Sequence, residues 1–274
     1  MKTSLIEAML FATKAIGRLR KIEDGTTVSD FDPEEHTRHT SLQLALGPSA
    51  WKGTKINVID TPGYANCVVS ATGGVEVGTE IAWQKARARG LPIIVFISRL
   101  DREHADHEGT MAQIGAHLGN RCAAINLPIG QEAGFKGVVD LLGAIPADLE
   151  ADAGSALDAL GEAVAKAGDG LMEKFLDEGT LTPDEIRQGL KTGVRSGVVV
   201  PVLAGSGYTG GGVELLLDAI VDYLPSPADV GPAMATKGDT TVELAAAAAG
   251  LLAAIIFKAS ASWRSWAAQS RAIR

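Results

Sequence analysis

Residues 91–101 read LPIIVFISRLD, and the fold depends on how that stretch is taken. From Leu91 to Ser98 it carries no charge, a short continuous apolar run of the kind that fits a strand buried on both faces. Just before it, Val77 to Arg89 reads as a helix. Earlier still, LQLALG (Leu42 to Gly47) and KINVID (Lys55 to Asp60) are β-like runs flanking PSAWKG, a predicted hairpin connection. Far downstream, VVVPVLAG supplies a last buried strand, and GVELLLDAIVDYL an amphipathic helix closed by Pro225 and Pro227. Strand and helix alternate, which predicts a parallel α/β sheet.

Around this frame, Thr3 to Ile16 has apolar residues at helical spacing with Gly17 as the stop, so a helix begins almost at the first residue. Asp24 to His39 carries no sustained period and reads as a long loop of the functional kind. From about Asn126 to Gly197 the character changes to glycine-rich short strands and then Ala-, Glu- and Asp-rich helices, an inserted α+β subdomain. Beyond Pro227 come a linker and one apolar run, Leu244 to Phe257, which falls short of the roughly 20 residues a membrane-spanning helix needs.

The 274 residues, 46% of them hydrophobic, can bury one large domain or one and a half. Lys plus Arg number 25 against 33 Asp plus Glu, so the net charge of -8 gives no global field toward DNA or an acidic membrane surface. Cys67 and Cys122 are too few for a disulfide framework, and no leader-like segment opens the chain, which points to a reducing cytoplasm.

Four segments carry the chemistry. Lys2, Thr3 and Ser4 open the first helix as the end of a GxxxxGK[ST] phosphate loop does, with Lys on the β- and γ-phosphates and the hydroxyl on Mg²⁺. Asp60 ends a strand before Thr61-Pro62-Gly63, where a carboxylate can hold the magnesium shell and Gly63 can present its N–H to a terminal phosphate. Ser98-Arg99-Leu100-Asp101 stands where guanine-specific proteins carry NKxD; Asp101 would accept two hydrogen bonds that adenine cannot supply, or else would cap the next helix or pair with Arg102. Ala204-Gly205-Ser206 follows the last strand, where backbone N–H groups could meet the guanine oxygen. His104 and His107, flanking Asp106 at a helix start, read as a solvated face and not as a metal cluster.

In this order, DTPGYA, GGVEVGTEIAWQKARARGLPIIVFISRLDRE and VPVLAGSGYTGGGVELLLDAIVDYLPSP resemble the G domain of bacterial elongation factor G and its elongation factor G-like paralogues, from residue 2 to about 230. The resemblance implies a P-loop GTPase-type doubly wound sheet over residues 1–227, with the insertion at 126–197. It implies that residues 228–274 form a linker and the truncated start of a β-barrel-like second domain. It further implies GTP or GDP with Mg²⁺ as cofactors and hydrolysis on the ribosome during translocation or ribosome recycling, by a cytoplasmic monomer that touches neither membrane nor DNA. Lys2, Thr3 and Ser4 then take the phosphates; Thr3, Ser41 and Asp60 the metal; Ser98, Arg99, Asp101, Gly205 and Ser206 the base. Gly63 and Tyr64 sit at the catalytic turn, where Tyr64 replaces a histidine and implies slower or differently triggered hydrolysis.

Three departures from the family pattern bear on activity. The sequence starts inside the phosphate loop, passes almost directly from Ala65 to the strand end VVSA, and has Ser98 in place of an asparagine. The expectation is therefore an incomplete sheet and an impaired GTPase; the alternatives are a nucleotide-free remnant acting as an interaction module, or an ATP-using P-loop enzyme.

Overall fold

A computed structural model describes residues 2–28, 44–62, 68–237 and 239–247. Helix α1 (Lys2–Ala12) opens them and buries Leu5, Ala8, Met9 and Leu10. It stops sooner than the apolar spacing predicts. Lys14 turns to φ 59°, and the N–H groups of Lys14 and Ala15 return to Phe11 O and Leu10 O, so Lys14 closes the helix and Gly17 does not.

Strands β1 (Ala45–Trp51) and β2 (Thr54–Asp60) form an antiparallel hairpin in register from Ala45↔Asp60 to Trp51↔Thr54. Its connection is Lys52-Gly53 alone, at φ 47° and 80°, as a two-residue turn matched to strand twist requires. The predicted PSAWKG connection is thus too long, because Pro48 to Trp51 belongs to β1. Pro48 is tolerated there since β1 ladders only with β2 among the described residues, and an open edge does not need the missing N–H.

The chain continues through β3 (Val68–Ser70), α2 (Val77–Ala88), β4 (Val95–Ser98), α3 (His107–Leu118) and β5 (Cys122–Ala124). Next come hairpin β6 (Asn126–Ile129) and β7 (Gly137–Asp140), then α4 (Glu150–Ala165), α5 (Asp169–Glu178) and α6 (Pro183–Ser196). The chain returns in β8 (Val200–Ala204) and α7 (Val213–Tyr223), and ends its described part in the antiparallel hairpin β9 (Ala233–Lys237) and β10 (Thr240–Leu244). That last hairpin was not legible in a stretch that reads as linker.

Four strands form the parallel centre in the order β3-β4-β8-β5. Every residue of β4 and β8 is buried, and alternate side chains enter opposite cores. Phe96 and Leu203 join Leu5, Met9, Leu190 and Leu217 on one face. Val95, Ile97 and Val202 join Leu100, Ile114 and Leu118 on the other. The reading of LPIIVFIS as a doubly covered strand holds for Val95–Ser98, while Leu91 to Ile94 precede the strand and Leu91 is exposed. Among the described residues β2 pairs only with β1, and β3 only with β4, so the hairpin and the central sheet share no ladder. Nor is any described helix long and apolar enough to cross a membrane.

Candidate functional site

The ends of β4 and β8 lie side by side, Ile97 opposite Ala204, and the loops that leave them build one cleft. Past Ser98, Arg99 adopts φ 71° and the Leu100 N–H reaches Gly205 O at 3.5 Å, which ties the two loops together. A space of about 100 Å³ opens between them, lined by Ser4, Ser98, Arg99, Asp101, Ser206 and Tyr208 among others. Asp101 is the distinctive group. Its Oδ1 is buried and meets no hydrogen-bond partner, while Oδ2 lies 3.6 Å from Arg102 Nε, too far for a good hydrogen bond. It does not cap the next helix: Asp106 does, accepting from the Gly109 N–H at 2.8 Å.

In the Gly205–Ser206 loop the amides are engaged within the fold. The Gly205 N–H is held by Ile97 O and the Ser206 N–H by Gly211 O, both at 2.8 Å, so these two amides are already spent inside the fold. Ser206, fully buried, instead shapes the loop: its Oγ accepts from the Tyr208 and Thr209 N–H groups at 3.1 and 3.2 Å. The next amide, that of Gly207, donates to no described acceptor. Gly207 also has to be small, because a Cβ there would stand 2.8 Å from Leu5 N and Cα. The first turn of α1 thus rests directly on the Gly207 turn, a contact between residues about 200 positions apart that no local pattern announces.

Tyr208 was equally unsignalled. Lys21 Nζ and the Arg102 guanidinium each lie 4.7 Å from its ring centroid, and Lys21 also donates to its hydroxyl at 2.7 Å. The result is a cationic and aromatic wall on the cleft.

At the other end of the α1 turn, Lys2 Nζ donates to Thr61 O at 2.6 Å, beside Asp60. Burial pushes the Lys2 ammonium down from its ordinary value, and the Asp60 carboxylate draws it partly back. Thr3 and Asp60 are 6% and 3% exposed. The helix N-terminus therefore presents a cation, a hydroxyl and backbone dipoles where an anion would be stabilised. Hard oxygens on Thr3 and Asp60 suit Mg²⁺, which takes few protein ligands and fills its shell with water and phosphate. Ser41, Gly63 and Tyr64 lie outside the described residues.

His104 lines a neighbouring space with Arg99 and Asp101. His107, the first residue of α3, is buried instead of solvated, and burial lowers its pKa. Among the described residues no group of three His, Cys, Asp or Glu side chains could hold a metal.

A doubly covered parallel sheet, a helix N-terminus against a buried carboxylate, and a cleft with an orphaned acceptor at the ends of β4 and β8 are consistent with an α/β domain of the P-loop GTPase class. The model of the elongation factor Tu GTP binding domain matches residues 2–67 and 64–226, and the chain belongs to that family. The two matches overlap at residues 64–67, where the sequence passes from DTPGYA to VVSA.

The chain is 37% identical to elongation factor G 2 of Streptomyces coelicolor, across 95% of this chain and 43% of that protein. It is 33% identical to elongation factor G 1 of Geobacter sulfurreducens, across 94% of this chain and 42% of that one. A crystal structure from Thermus thermophilus matches with a TM-score of 0.75 at 29% identity, over 85% of this chain and 40% of the other. The chain thus spans less than half the length of the relatives it matches.

Proposed function

We propose that this chain is the guanine-nucleotide-binding unit of an elongation factor G-like translation factor, binding GTP and GDP with Mg²⁺ and acting on the ribosome in translocation or ribosome recycling. The observation that carries the reading is the buried, unpartnered Oδ1 of Asp101 in a cleft that also holds the Ser206 loop. A buried carboxylate oxygen without a donor is costly, and guanine offers the N1–H and N2–H₂ donors that would satisfy it. Adenine presents an acceptor at N1 and cannot. The Gly207 N–H is the complementary free donor, suited to the guanine O6.

Bound Mg²⁺ would neutralise charge on the β- and γ-phosphates. Thr3 and Asp60 would hold it, with Ser41 joining them, while Lys2 takes the phosphate oxygens it can reach from the helix N-terminus. Gly63 and Tyr64 would face the attacking water, the tyrosine as a hydrogen-bond partner and not as an imidazole. The inserted unit, residues 126–197, belongs to the same G domain, and residues 228–274 lead toward a second one.

One observation favours a second reading, an interaction module without nucleotide: the β1–β2 hairpin that carries Asp60 shares no ladder with the central sheet among the described residues. Titration of a fluorescent guanine nucleotide with Mg²⁺ decides between them. Saturable binding displaced by GTP and GDP but not by ATP is expected. A folded sample that shows no saturation at high micromolar concentration overturns the proposal.

A further inference from the structure

The ladder between β5 and β8 stops at Ala124↔Val202, yet β8 runs on to Ala204. Past that point the chain leaves the sheet: the Ile125 N–H bonds Val202 O at 3.0 Å, and Asn126 begins the inserted hairpin. The side chain of Asn126 then does what a further strand residue would do. Its Oδ1 accepts from the Ala204 N–H at 2.7 Å and its Nδ2 donates to Ala204 O at 3.0 Å, so one amide side chain pairs both main-chain groups of the last β8 residue. Asn126 is 1% exposed, so water cannot replace either bond.

Ala204 is followed at once by Gly205, Ser206 and Gly207. The space around that turn is tight, since a Cβ on Gly205 would stand 2.4 Å from Gly211 O and one on Gly212 would stand 2.6 Å from Ala204 O. A small shift of Ala204 has no slack to be absorbed in and passes into the base loop.

We infer that Asn126, the first residue of the inserted unit, is a positioning residue that sets the base loop at Gly205–Gly207 and so links the inserted unit to recognition of the six-position of guanine. This rests on the proposed guanine site. Both side-chain hydrogen bonds of Asn126 go to Ala204, so it acts on the loop through Ala204. Its effect belongs to the O6 end of the base and not to the Asp101 end, and that division makes it testable.

The experiment compares the unaltered chain with Asn126→Ala and Asn126→Asp, the latter keeping an acceptor for the Ala204 N–H. Each is titrated with GTP, with 6-thio-GTP, which weakens the six-position acceptor, and with ITP, which lacks the two-amino group read by Asp101. In Asn126→Ala the preference for GTP over 6-thio-GTP is expected to fall by about tenfold, the worth of one lost hydrogen bond. The preference for GTP over ITP should hold, and Asn126→Asp, which sets a second carboxylate oxygen against Ala204 O, should lose at least as much of the six-position preference as Asn126→Ala. A general loss of fold would lower all three affinities together and would overturn the assignment.

Hydrogen exchange on the unaltered chain is the arm that needs no variant to fold. The Ala204 amide should be protected like the amides of β4. Exchange as fast as in exposed loops overturns the role of Asn126 alone, whereas failure of the unaltered chain to bind any guanine nucleotide overturns the proposed function.

Discussion

Asp101 keeps one buried carboxylate oxygen that the protein around it does not satisfy. A carboxylate oxygen that is buried and unpartnered lowers stability, so replacing Asp101 should not harm the nucleotide-free fold. Asp101→Asn is expected to keep or raise the melting temperature without ligand, and to weaken GTP by about ten- to a hundredfold, since a hydrogen bond to a charged group contributes about 1.5–3 kcal/mol. Melting curves with and without GTP, and competition by ATP, check both halves; a lowered melting temperature in the absence of nucleotide would show that Asp101 is structural. This residue was legible because its signal is local: a strand end followed at fixed spacing by an acid. Gly207 was not, because its requirement comes from the backbone of Leu5 across the fold. Gly205 and Ser206 were legible as positions, but that their amides bond Ile97 and Gly211 was not, since only the folded loop brings those partners near.

Single elements show the same division. The strand Val95–Ser98 was readable because burial on both faces leaves an uninterrupted apolar run, whereas the extent of β1 was hidden by Pro48, which an edge strand tolerates and an interior strand does not. Helix α6 is the element whose electrostatics can be tested most directly. Thr182 Oγ1 accepts from the Glu185 N–H, and the Glu185 carboxylate accepts from the Thr182 N–H at 2.9 Å and from Lys174 Nζ at 2.6 Å, with Pro183 in the first turn. Lys174 first, and then the Thr182 hydroxyl and N–H, hold the Glu185 carboxyl down from 4.5 to about 2. Because the folded value is the lower one, the stabilisation is fully present above about pH 4.5 and is lost as the pH falls toward 2. Glu185→Gln should therefore melt with a flatter pH dependence than the unaltered chain across that window and nowhere else. Thr182→Ala, which removes the cap itself, is expected to cost about 1 kcal/mol at neutral pH by denaturant unfolding.

At the scale of the whole molecule, the question is what keeps the β1–β2 hairpin in place when it shares no ladder with the central sheet among the described residues. One attachment is the apolar packing of Ile56 in the core that also contains Leu5 and Met9 of α1. A second is Lys2, which ties Thr61 at the base of the hairpin. The third is at the tip, where the Trp51 indole N–H and Lys52 Nζ both meet Asp218 Oδ1 of α7 at 2.7 Å. A lever fixed at its tip, lying on α1 and held at its base by Lys2 keeps Asp60 and Thr61 in one position relative to the helix N-terminus. Removing the tip contact should be felt at the far end. Asp218→Ala leaves the partly buried Trp51 indole without its acceptor, a loss of about 1–3 kcal/mol. The amides of Lys55 to Ile59 should then exchange faster while those of β4 and β8 keep their protection. If the phosphate end is built as proposed, GTP with Mg²⁺ should bind more weakly in this variant while guanosine, which engages only the base cleft, binds as before. Equal losses for both ligands would mean that Asp218 supports the domain as a whole, and unchanged exchange in the hairpin would mean that packing on α1 is sufficient to hold it.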